Sequence, residues 1–285
     1  MRKISRPFSR SSSTQIDFPK GKKKFDCRHF FHDNIGHRFY IKRGLMSELN
    51  IVKDCARQAL IITAAAGGCD NFLWDRAQRL VRNAEYICRL PELNKAGFQI
   101  DRFCLLTATY FNDAGRAHYL EGRHTKGKMK NLGPGNDGLL DASAQIAEEK
   151  LASVLNAARL KTVGRIIVES GDHFTNITEA MILSDARNLD DMGAAGIVNE
   201  MRKYAADGKT VADALQTWKR KADYRYWQAR LKEGFKFNSV RKLAEHRLAA
   251  AEYFMNQLKL EHLAEDLEAV AGNLSSVTAA VSDEK

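Results

Sequence analysis

Residues 179–197 read EAMILSDARNLDDMGAAGI. They sit inside a stretch without proline that runs from Asn136 to Lys285, and such a stretch favours long helices over a sandwich of short strands. The segment is therefore placed on a helix spanning about residues 177–206. Asp185, Asp190 and Asp191 fall close together on it. Taken alone, these carboxylates describe a solvated helix face, so their meaning depends on what surrounds them in the chain.

Working outward, an earlier stretch, Leu105–Arg116, reads LLTATYFNDAGR and lies on a helix expected over about 101–117. An isolated Asn-Asp pair such as Asn112-Asp113 is ordinarily a cap or a surface feature. Other helices follow from the apolar period. One carries Leu45, Leu49, Val52, Cys55, Ala56, Leu60 and 62–66 and is expected to end at Gly67-Gly68. A second spans about Phe72–Leu90 and is stopped by Pro91. Residues 120–137, rich in Gly and Lys and containing Pro134, read as a long loop. Helices resume at about 139–159, 162–170, 177–206, 209–233 and 238–263, the last amphipathic through Leu243, Leu248, Phe254 and Leu258. The chain thus reads as all-α: a basic arm over 1–43, a helical domain over 44–263 and a flexible tail over 264–285.

The two quoted stretches together resemble signatures of the HD phosphohydrolase superfamily, whose bacterial members carry a His-Asp helix followed by an Asp-Ala-x-x-Leu-Asp-x-x-Gly-Ala frame. Asp185, Leu189, Asp190, Gly193 and Ala194 fit that frame without a gap, and Asn112-Asp113, followed by Ala114-Gly115-Arg116, stands where the family has its His-Asp. Trp74–Ala84 (WDRAQRLVRNA) resembles the first metal-binding helix, with Arg76 at the usual histidine. Ala142–Leu155 resembles the Ser-Ala-x-x-Ala helix, with Leu139 and Leu140 in place of the preceding histidines, and His173 corresponds loosely to the next one. The resemblance covers about residues 70–200.

It implies an HD-like helical domain with a pocket formed by Arg76, Asn112, Asp113, Arg116, His173, Asp185 and Asp190. In the family, His and Asp side chains hold one or two divalent metals, which lower the pKa of a bound water that attacks phosphorus. Here the ligand set is depleted. Arginine keeps its proton in proteins and offers no lone pair, and Asn112 offers only a carbonyl oxygen, a poor ligand for transition metals. The leading expectation is a non-catalytic ligand-binding, regulatory or scaffold module without a metal cofactor. Its Arg76 guanidinium would lie between Asp113 and Asp185 in place of the metal's charge. Arg76, Arg116 and Arg187 could meet the phosphate oxygens of a nucleotide or another phosphorylated small molecule. The alternative is an active phosphohydrolase with a reduced site. Asp113, Asp185 and His173, with Asp141 or Asp172, would then hold one Mn, Fe, Ni or Mg ion.

The bulk numbers bound other readings. The net charge is +10, but residues 1–43 hold twelve Lys or Arg against three Asp or Glu, a net of +9, which leaves +1 for residues 44–285. Nucleic-acid or protein contact through charge is thus an expectation for the arm alone, and would be strongly salt-dependent. Phe25, Phe30, Phe31, Phe39 and Tyr40 are interleaved with Cys27, His29, His32 and His37. That spacing matches no zinc module, so packing against the body is the default reading. The five cysteines include no Cys-x-x-Cys pair and read as reduced thiols of a cytoplasmic protein. His118, His124 and His246 read as surface or satisfied core residues. There is no apolar run of transmembrane length, no glycine-rich phosphate loop and no Gly-x-Ser-x-Gly or His-Glu-x-x-His motif.

Overall fold

Ten consecutive residues, Arg102–Phe111, form a helix in which Cys104 through Phe111 are all buried, and a helix apolar on every side belongs at the centre of a helical protein. The computed structural model describes residues 48–63, 68–95, 97–126 and 136–267. The expectations for the basic arm (1–43), its Cys/His/aromatic segment, residues 127–135 of the long loop and the tail from 268 onward lie outside the described residues.

The described chain is all-α apart from one short ribbon. In order come α1 (Glu48–Leu60), β1 (Ile62–Thr63), β2 (Cys69–Asp70), α2 (Phe72–Ile87), α3 (Pro91–Lys95), α4 (Arg102–Phe111) and α5 (Ala114–Lys126). There follow α6 (Asn136–Leu151), α7 (Ala157–Glu169), α8 (Thr178–Asp191), α9 (Ala194–Ala206), α10 (Val211–Asp223), α11 (Tyr226–Glu233) and α12 (Asn238–Leu263). The strands pair antiparallel, with Ile62 opposite Asp70 and Thr63 opposite Cys69.

The central α4 is packed by α1, α2, α6, α7 and α8. Its start is fixed twice. The Asp101 side chain caps it by accepting from the Cys104 N–H at 3.0 Å, and the Asp101 N–H donates to Glu179 at the start of α8 at 2.8 Å. A cap of this kind is worth about 1 kcal/mol. Around α4 lies one main core, which includes Leu60, Leu73, Leu105, Phe111, Leu151, Ile167 and Leu183. Helices α9 and α12 pack on α8, and α10 and α11 pack on α12 and on each other, with the Trp218 and Trp227 rings 5.0 Å apart between α10 and α11.

Several expected helices are divided. The first ends at Leu60, because the β-branched run Ile61-Ile62-Thr63 favours an extended backbone. The expected 101–117 helix breaks at Asn112-Asp113. Helix 177–206 breaks at Gly193, and helix 209–233 breaks at Tyr224-Arg225, where Arg225 is left-handed (φ 52°). The loop is shorter than expected, since α5 reaches Lys126 and α6 begins at Asn136. Helix 238–263 has the expected bounds. Among the described cysteines, Cys55, Cys88 and Cys104 are free thiols. Among the described residues, no helix is long and apolar enough to cross a membrane.

Candidate functional site

The corner between α4 and α5 is set by a hydroxyl and a glycine. The Ser143 hydroxyl, fully buried on α6, accepts from the Gly115 N–H at 2.9 Å and donates to the Asn112 carbonyl at 2.8 Å. A Cβ at position 115 would come within 2.3 Å of the Leu139 carbonyl oxygen, so only glycine lets α5 and α6 approach this closely. That close packing turns the chain at Asn112-Asp113 and leaves both side chains buried.

Helix α2 buries Leu73, Ala77, Leu80 and Ala84 against the core, and its neighbouring rows carry Arg76 and Arg79 toward α8. Arg76 is buried and reaches three carboxylates. Its Nη1 bonds Asp113, its Nε lies 3.3 Å from Asp190, and its Nη2 lies 3.2 Å from Asp191. Arg79 Nε meets the other oxygen of Asp190 at 2.9 Å, and Arg230 from α11 meets Asp191 at 3.0 Å.

Burial alone would raise the Asp113 carboxyl. Arg76, Arg116 and Arg187 outweigh it and hold the group below the usual carboxylate range. Asp191 is likewise held low, by Arg76 and Arg230 against burial. Burial also works against the Arg76 charge, but Asp113, Asp191 and Asp190 more than offset it.

The cations outnumber their partners. Around Asp113, Asp190 and Asp191 stand Arg76, Arg79, Arg116, Arg187, Arg230 and Lys203; with Glu200 beside Lys203, that is six cations against four carboxylates among the described residues. Arg187 bonds the Ser170 hydroxyl at 3.1 Å, and its basicity is lowered by burial and by the like charges of Arg76 and Arg230. Lys203 is lowered by burial and then by Arg116. Of the three arginines singled out from the sequence, Arg76 contacts Asp113, while Arg116 and Arg187 act on its carboxyl through their charge.

Asp185 is elsewhere engaged. Fully buried on α8, it accepts from the Lys236 N–H at 2.9 Å and the Phe237 N–H at 3.0 Å, pinning the α11–α12 junction. Burial pushes its carboxyl up to about 7, against the pull of those two donors and Lys236. The expected placement of Arg76 between Asp113 and Asp185 is therefore corrected: the second and third partners are Asp190 and Asp191. The reason is the helical period, which turns position 185 toward α12 while positions 190 and 191 reach α2.

These residues do not fit the metal that the family resemblance implies. Asp113 is taken by a guanidinium and Asp185 by two backbone amides. His173 is exposed, its carbonyl accepting from Lys236 Nζ. Asp141 and Asp172 are exposed as well, with Asp172 accepting from the Phe174 N–H at 2.8 Å. Asn112 Oδ1 is buried without a hydrogen-bond partner. Among the described residues, no group of three His, Cys, Asp or Glu side chains is arranged to hold a metal ion.

Sequence reading missed Asp191 as a partner, and with it Arg79, Lys203 and Arg230. Arg79 was within reach, being one helical turn from Arg76 and facing the same way. Arg230 and Lys203 come from distant helices whose docking no local pattern reveals.

No family model matches the chain, and no curated protein matches it. Among solved structures it is similar to YpgQ of Bacillus subtilis in complex with ADP, at 17% identity and a TM-score of 0.48, covering 76% of this chain and 97% of that one. It is similar to the Lin1889 protein of Listeria innocua at 16% identity and a TM-score of 0.47, with 76% and 97% covered. A Lactobacillus plantarum protein is 18% identical with a TM-score of 0.49, again with 76% and 97% covered. Likeness at this level says nothing of function.

Proposed function

We propose that this chain is a non-catalytic, HD-like helical module that binds a nucleotide or another phosphorylated small molecule on the cationic rim formed by Arg116, Lys203 and Arg230. One observation carries the reading. The Arg76 guanidinium engages Asp113, Asp190 and Asp191 together, so a fixed organic cation occupies the carboxylates that a divalent ion would need. A guanidinium cannot lower the pKa of a water as a metal does, which removes the nucleophile of the family's reaction. The surplus of cations is what a phosphate would neutralise. Arg116 and Lys203 repel one another across the rim, and an anion between them relieves that repulsion.

The test has two arms. Purified protein is incubated with manganese, iron, nickel and magnesium, desalted and assayed by elemental mass spectrometry, in parallel with hydrolysis of nucleotides. Nucleoside di- and triphosphates are then titrated calorimetrically into wild type and Arg116→Ala. The expected result is no retained metal, no hydrolysis, and saturable nucleotide binding that weakens about tenfold in the variant, as loss of one charge-assisted contact implies. About one equivalent of metal, lost on Asp113→Ala, together with phosphate release, overturns the reading in favour of a hydrolase.

A further inference from the structure

Beside Asp190, a cleft of about 430 Å³ opens between α2, the start of α9 and α12. Arg79, Arg82 and Arg247 line it, with Asp190, Ala195 and Ala250. Three arginines against one carboxylate leave two positive charges in excess. Asp190 is already shared between Arg76 and Arg79.

Arg247 is the informative member. It is half-buried on α12 and bonded only to neutral oxygens, the Leu189 carbonyl at 2.8 Å and Asn83 Oδ1 at 3.4 Å. Among the described residues, no carboxylate lies within ion-pair distance of Arg247 or of the exposed Arg82. A cation held partly out of water with no contacting anion is unfavourable unless something else supplies the charge. Burial accordingly lowers the basicity of Arg247, and Asp190 offsets this only in part.

The surroundings hold Arg247 in position. Asn83 is buried and donates to the Ala186 carbonyl at 3.2 Å, which directs its oxygen to Arg247. Gly193 allows the arginine stem to lie against the start of α9, since a Cβ there would come 3.3 Å from Arg247 Cβ. Helix α9 begins at that glycine with no side-chain cap, so its first amides add a favourable potential for an anion. Beside the charges, the lining is the Asn83 amide, three alanine methyl groups and a glycine. The cleft is larger than a bare phosphate needs and has apolar walls for an attached organic group.

We propose that this cleft is a second anion site, distinct from the Arg76 network, which takes an organic phosphate monoester with its phosphoryl group between Arg82 and Arg247. It does not depend on the function proposed above, and replacing Arg116, which does not line this cleft, removes the other site from the measurement.

The test is calorimetric titration of the full chain with phenyl phosphate and with inorganic phosphate at one ionic strength. Every protein carries Arg116→Ala, which weakens the rim proposed above, and this parent is compared with the same chain bearing Arg82→Glu or Ala195→Asp. Arg82 is exposed, so reversing its charge leaves the fold intact. A carboxylate at 195 stabilises the first turn of α9 while placing a competing anion in the cleft, so a melting temperature no lower than the parent's serves as the folding control. The expected result is saturable binding of phenyl phosphate, tighter than that of inorganic phosphate. Relative to that parent it weakens about tenfold or more in Arg82→Glu and in Ala195→Asp. Absence of saturable binding in the parent, indifference to both cleft variants, or equal affinity for inorganic phosphate overturns the proposal.

Discussion

Helix α8 buries two carboxylates a little over one turn apart and satisfies them in opposite ways. Asp190 meets guanidinium groups from α2, part of a network in which Arg76 also binds Asp113 and Asp191. Asp185 meets only backbone N–H groups and keeps no ion-pair partner within contact distance among the described residues. The ionic end ties three helices together through full charges, and its carboxylates Asp113 and Asp191 are held acidic. The dipolar end pins one loop, and its carboxylate is pushed up to about 7. A buried acid therefore does not by itself mark a metal site, and the partner type decides how it behaves.

Breaking the ionic end should have the largest consequence. Arg76→Ala leaves Asp113, Asp190 and Asp191 facing one another with only peripheral cations, and stripping one partner from a buried ionic network costs about 3–5 kcal/mol. Denaturant unfolding measures this directly, as a lower midpoint at an unchanged slope. Arg76→His sharpens the comparison, since it restores an imidazole beside three carboxylates. That variant should be destabilised on its own and regain stability when manganese or nickel is added, whereas wild type should not respond. A wild-type midpoint that rises equally with metal would mean that Arg76 does not occupy the carboxylates in solution.

Breaking the dipolar end should matter less. Asp185→Ala orphans the Lys236 and Phe237 amides, at a cost of about 1–3 kcal/mol. The damage should stay local, so amide exchange should quicken at 236–240 and not across α4. Exchange that quickens throughout the core would show that the clamp supports the whole fold rather than one junction.

The contrast also explains what could be read from the chain. The all-α architecture was legible because its signals are local: apolar period, scarce proline and the Pro91 stop. The helix breaks at Asn112, Gly193 and Arg225 were not, and at the first of them the cause is a neighbour. Ser143 and the near-contact at Gly115 turn the first, and no residue near position 112 in sequence announces Ser143. Within the site, Arg76 and Asp113 were legible as a pair because a cation stood where the resemblance implied a ligand. The choice between Asp185 and Asp190 was not, because it turns on the rotation of α8 relative to α2, which only the packed core fixes.

The two ends should also separate by pH, because their trends have opposite signs and fall in different pH windows. Asp113 and Asp191 have folded-state values below those of the unfolded chain. Their contribution is therefore present above about pH 4 and lost as pH falls through the folded values. Asp185 has the reverse sign. Its folded value of about 7 lies above the unfolded one, so its contribution is full below about pH 4 and lost as pH rises through about 7. Asp185→Asn removes only the second trend. The variant should be less stable throughout, because its amide can accept from one of the two N–H groups but not both. From pH 4 to 7, however, its stability should fall less steeply with rising pH than that of wild type. Parallel curves over that interval would mean that Asp185 is ionised across the whole range, with its two backbone donors outweighing burial, and the distinction between the ionic and dipolar ends would then lie in geometry alone.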